Sequence, residues 1–126
     1  MKIKITSVFV DDQDKALKFY TEILGFVKKH EIPLGKFKWL TVTEPDNDHV
    51  ELLLEPNENP TASTYQQSLV QQNIPCTTFF VEDVDQEFDR LTKLGVNFTK
   101  TPTVMGPVKI AVFDDTCGNL IQITQV

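Results

Sequence analysis

Phe9-Val10-Asp11-Asp12 recurs as Phe80-Val81-Glu82-Asp83, 71 residues further along the chain. Two more echoes keep nearly the same interval. Leu24-Gly25-Phe26-Val27 returns as Leu94-Gly95-Val96-Asn97 after a one-residue deletion, and Val50-Glu51-Leu52-Leu53 returns as Ile121-Gln122-Ile123-Thr124. Two copies at so long a period do not make a solenoid. They describe a duplicated α+β module, with any site expected where the copies meet.

Each copy has the same element order. Residues 2–10 alternate like a strand. Asp11-Asp12-Gln13-Asp14 then offers N-cap residues and negative charge for a helix start. Ala16, Phe19, Tyr20, Ile23 and Leu24 fall on one helical face, and Gly25 closes it. Strands are predicted over 26–32, 36–43 and 49–55. The second copy reads as a strand over 75–82, then a helix capped by Asp83 with Val84, Phe88, Leu91 and Leu94 on one face. Strands over 96–100, 104–113 and 119–125 follow, with Pro102 as a break and Gly106-Pro107 interrupting the middle one. The expected organisation is one domain: a first module over about 1–56, a connecting segment with a short helix over 57–72, and a second module over about 73–126.

Composition narrows the function. A chain of 126 residues can bury about two-thirds of its surface without covalent staples. A net charge of −6 argues against nucleic acid or an anionic membrane as the main partner. No apolar run reaches the roughly 20 residues that span a bilayer. The start, Met1-Lys2-Ile3-Lys4-Ile5-Thr6, lacks a signal-peptide core, so Cys76 and Cys117 are expected to be reduced thiols in a cytoplasmic protein. No glycine-rich phosphate loop, CxxC pair or nucleophilic triad is present.

The stretch Asp12-Gln13-Asp14-Lys15-Ala16-Leu17-Lys18-Phe19-Tyr20 with Ile23-Leu24-Gly25-Phe26 resembles the first helix of the vicinal oxygen chelate superfamily. That group holds glyoxalase I, bleomycin-resistance proteins, fosfomycin-resistance enzymes and extradiol dioxygenases. Val50-Glu51-Leu52 and Gly118-Asn119-Leu120-Ile121-Gln122-Ile123 match its other two signatures, in the same order. The resemblance implies two tandem βαβββ modules whose sheets curl into a cup with the helices outside. It also implies a homodimer and a small-molecule ligand. Metal-dependent relatives take one ligand from the first and one from the last strand of each module. Those positions fall at Ile5, Glu51, Cys76 and Gln122, and the interval of 71 carries Ile5 to Cys76 and Glu51 to Gln122.

This donor set departs from the metalloenzyme pattern. Ile5 has no donor atom. Glu51 is a hard ligand or a general base, and Gln122 is a neutral one. Cys76 would be a soft thiolate among oxygen donors. A divalent metal at Glu51 and Gln122 is therefore disfavoured. His30 reads as a solvated strand-end residue, and His49 as a rim residue two positions before Glu51. Cys76 reads as a buried strand thiol and Cys117 as an exposed turn residue. Strand alternation sends Ile5, Ser7, Phe9, Cys76, Thr78 and Phe80 into the cup with Glu51 and Gln122. Phe37, Trp39, Phe79, Met105 and Phe113 are further wall candidates. Such a cavity is aromatic and weakly polar, and fits a small or flat organic ligand. Two functions follow. One is a glyoxalase-like lyase or isomerase acting on a small carbonyl or thiol adduct, with Glu51 as base or ligand. The other is a metal-free binding or sequestering protein resembling the bleomycin-resistance members.

Overall fold

Each half of the duplicated sequence folds around its own four-stranded sheet. The computed structural model describes residues 1–126, which form two compact units, Met1–Thr64 and Tyr65–Val126. In the first unit, β1 (Ile5–Val10), α1 (Gln13–Lys18), β2 (Val27–Leu34), β3 (Phe37–Glu44) and β4 (Asn47–Pro56) give a sheet of order β1-β4-β3-β2. Helix α2 (Pro60–Gln71) carries the chain into the second unit. There β5 (Thr77–Phe80), α3 (Val84–Lys93), β6 (Phe98–Met105), β7 (Val108–Asp114) and β8 (Leu120–Gln125) give the order β5-β8-β7-β6. The architecture is α+β, with the β-α-β-β-β order used twice. No helix is long and apolar enough to cross a membrane.

The helix starts follow from their caps. Asp12 accepts from the Lys15 backbone N–H at 3.0 Å, and Asp83 accepts from that of Gln86 at 3.0 Å. That bond from Lys15 is the largest influence lowering the Asp12 pKa. Gln13 fastens α1 to its sheet. Its amide donates to the carbonyls of Lys38 and Leu54, both at 2.9 Å, and its carbonyl accepts from the Lys38 N–H at 3.1 Å. The face under α1 is apolar: Val8, Val10, Leu40, Val42, Leu52 and Leu54 are all buried. In the second unit α3 covers Phe98, Phe113, Ile121 and Ile123, with Phe88, Phe98 and Phe113 meeting edge to face.

Four expectations need correction. The helix after α1 does not stay α-helical to Leu24. Phe19–Ile23 is a π-helical turn, with the Leu24 N–H bonded to the Phe19 carbonyl at 3.0 Å. The wider turn keeps adjacent Phe19 and Tyr20 both buried. Pro102 does not end a strand. It lies inside β6, an edge strand, where the ladder already shifts between Lys100 and Thr103. The break falls at the Gly106-Pro107 turn instead. Cys117 is fully buried rather than exposed, because its loop folds around Asp115. The carboxylate of Asp115 accepts from the backbone of Cys117 and Asn119, at 2.7 and 3.0 Å, and from the Asn119 amide at 2.7 Å. Gln66 then donates to Asn119 at 3.0 Å. The Gly118-Asn119 signature is thus a buried loop anchor, with Gly118 at φ +104° and Gln66 pressed against it.

The fourth correction concerns the repeat as a ruler. Ile5 lies opposite Glu51, as the interval requires. Gln122, however, lies opposite Thr78, and Cys76 donates its N–H to Leu120. The interval holds through β3 and β7, where Thr41 faces Leu53 and Val112 faces Gln122. Beyond that point it shortens by two residues, because the β3–β4 ladder shifts register between Val42 and Glu44 and the β7–β8 ladder does not. Leu53, not Glu51, is therefore the first-module counterpart of Gln122.

Candidate functional site

The helix-free face of the first sheet carries the polar cluster. Pairing puts Ile5 beside Glu51, Ser7 beside Leu53 and Phe9 beside Glu55 on this face, while Leu52 and Leu54 turn toward α1. Thr41 faces Leu53 from β3, and Trp39 stands two residues along from it on the same side. The second sheet is arranged likewise. Cys76, Thr78 and Phe80 share the helix-free side with Gln122, while Phe79, Phe113, Ile121 and Ile123 lie on the other.

Glu51 is the buried charge of this face, with 7% of its surface exposed. Its Oε1 accepts from the Thr41 hydroxyl at 2.8 Å and lies 2.9 Å from His30 Nδ1. Its Oε2 lies 3.6 Å from Lys29 Nζ, which also bridges to Asp48 at 3.2 Å. Burial alone would raise the pKa of this carboxyl. The hydrogen bonds from Thr41 and His30 and the Lys29 charge outweigh it and hold the pKa below its ordinary value.

His30 is the member of this cluster that sequence reading missed. Strand alternation places it with Lys28, whose ladder partner is Val42 on the α1 side. A β-bulge between Lys28 and His30 changes that, so that His30 pairs with Thr41 and turns toward Glu51. The extra residue is Lys29. No feature of Lys28-Lys29-His30 announces a bulge. The available hint was the unpaired carboxylate of Glu51, which needed a partner.

The remaining predicted residues are placed as follows. Gln122 donates its amide to Thr124 Oγ1 at 3.1 Å. Cys76 is half-buried and immediately precedes β5. Burial, and then the nearby Asp115 charge, push its thiol up to about 11, so it is not a poised nucleophile. His49 is exposed on β4. Phe80 is 70% exposed on the helix-free side of its sheet. A cleft of 490 Å³ opens beside the cluster, lined by Lys28, Lys29, Thr43 and the Glu44–Asp48 turn.

A divalent metal does not fit the residues present. Oε1 of Glu51 is bonded to Thr41 and His30, the Lys29 ammonium stands 3.6 Å from Oε2 where a cation would compete with it, and Ile5 opposite offers no donor. Nowhere do three or more His, Cys, Asp or Glu side chains gather as metal ligands.

Two βαβββ units, each with its first strand parallel to its last, define a protein of paired modules. The chain belongs to the Glyoxalase/Bleomycin resistance protein/Dioxygenase superfamily, whose family model matches residues 2–123. It is 59% identical over 126 residues to the protein YurT of Bacillus subtilis (strain 168), covering 99% of both chains. Among solved structures it is similar to UcmS2, with a TM-score of 0.86 at 29% identity over 100% of this chain and 98% of that one. It is also similar to TnmS3, an antibiotic binding protein from Streptomyces sp. CB03234, with a TM-score of 0.79 at 29% identity over 99% and 95% of the two chains.

Proposed function

We propose that this protein binds a small, flat organic ligand without a metal, on the helix-free face that carries Trp39 and Glu51. The observation behind this reading is the engagement of Glu51. A carboxylate whose Oε1 is bonded to Thr41 and His30, with the Lys29 ammonium 3.6 Å from Oε2, is poorly placed to anchor a catalytic ion. Its lowered pKa also makes it a weaker base, which counts against the lyase or isomerase alternative on small carbonyls and thiol adducts. The likeness to an antibiotic binding protein supports a sheltering role for a small organic compound. The family resemblance adds a homodimer.

Trp39 is the chain's one tryptophan, so ligand binding has a built-in reporter. Titration with a panel of aromatic antibiotics and flavones is expected to give saturable quenching of its fluorescence, unchanged by a chelator. The opposite result is silence across the panel together with metal-dependent turnover of the methylglyoxal–thiol adduct. That would replace the binding reading with the enzymatic one.

A further inference from the structure

We propose that His30, rather than Glu51, is the polar group that touches the ligand, and that its Nε2 accepts a hydrogen bond from a phenolic or enolic hydroxyl. The proposal rests on the binding reading above and names the chemistry of that ligand.

Geometry fixes the direction of the bond. Glu51 Oε1 already accepts from Thr41, and as a carboxylate it can only accept. His30 Nδ1, at 2.9 Å, must then be the donor. When the imidazole is neutral its one N–H is on Nδ1, and Nε2 keeps its lone pair. No protein group hydrogen-bonds Nε2, and the His30 side chain is 41% exposed on an edge strand. The bulge at Lys29 is what turns this ring onto the face that holds Trp39. Glu51 is a positioning residue in this scheme. Its burial and its contacts with Thr41 and Lys29 fix the carboxylate that holds the imidazole in one tautomer and one orientation, as carboxylates do for histidines that act through the other nitrogen. A ligand that meets this lone pair must bring a hydrogen-bond donor, of which a ring hydroxyl is the simplest, and Trp39 on the same face favours an aromatic ring to carry it.

The test uses 7-hydroxyflavone and its methyl ether, 7-methoxyflavone, titrated against Trp39 fluorescence. The wild-type protein is expected to bind the hydroxyl compound about tenfold tighter than the ether. H30A should lose that preference and bind the two flavones alike, with its fold checked separately by circular dichroism. E51L should lose it too, with the ¹⁵N shifts of His30 changing from the Nδ1–H tautomer to a mixture. E51Q, which keeps an acceptor oxygen, should retain most of it. Equal affinity for the two flavones, or a preference that survives H30A, overturns the proposal and leaves the binding reading standing. Binding of neither flavone also overturns it; the binding reading falls as well only if the rest of the panel is silent.

Discussion

Glu51 can be separated from each of its partners by a single substitution. Glu51→Ala leaves Thr41, His30 and Lys29 facing a vacated acceptor and is expected to cost about 1–3 kcal/mol, read by urea unfolding. Because the folded pKa of Glu51 lies below its ordinary value, its stabilisation is complete above the usual carboxylate range. It is lost as pH falls through the folded value. The stability gap between wild type and E51Q should therefore narrow below about pH 4; a gap independent of pH would contradict the assignment. At this scale the sequence was half legible. Glu51 stood out as a charge in an apolar strand. Its partner did not, because His30 reaches it only through a backbone irregularity.

The bulge in β2 belongs to the scale of the element. Deleting Lys29 should restore simple alternation, with Lys28 opposite Val42 and His30 still opposite Thr41. The expected outcome is an Nδ1–H signature of His30 that persists in ¹⁵N spectra, with the sheet retained by circular dichroism; loss of the signature would show that the pairing with Thr41 does not by itself aim the ring. Helix caps are a separate matter of local chemistry. Asp83→Ala should cost about 1 kcal/mol in an unfolding titration. The capped helix starts were readable because Asp12 and Asp83 act within three residues of themselves. Pro102 misled because its meaning depends on whether its strand is central or at an edge, which is a property of the sheet. The π-helical turn misled because Phe19 and Tyr20 fit an ordinary helical stripe equally well.

For the whole molecule, duplication set the fold. Two copies of one strand-and-helix order gave two sheets with the same internal pairing. The same repeat was a poor ruler at its far end. A register shift between Val42 and Glu44 that the second module lacks left Gln122 opposite Thr78 and removed the symmetry of the four expected ligand positions. Homodimerisation, proposed from the family, predicts twice the chain mass of 14.4 kDa in light scattering at micromolar concentration; the mass of one chain would contradict it. The central claim is that Glu51 orients a histidine and does not hold a metal. Elemental analysis of the wild-type protein and of E51A, both purified without chelator and loaded with zinc, nickel or manganese, tests it most directly. The account predicts no metal above trace in either protein. Stoichiometric metal in the wild type that is absent from E51A would contradict it.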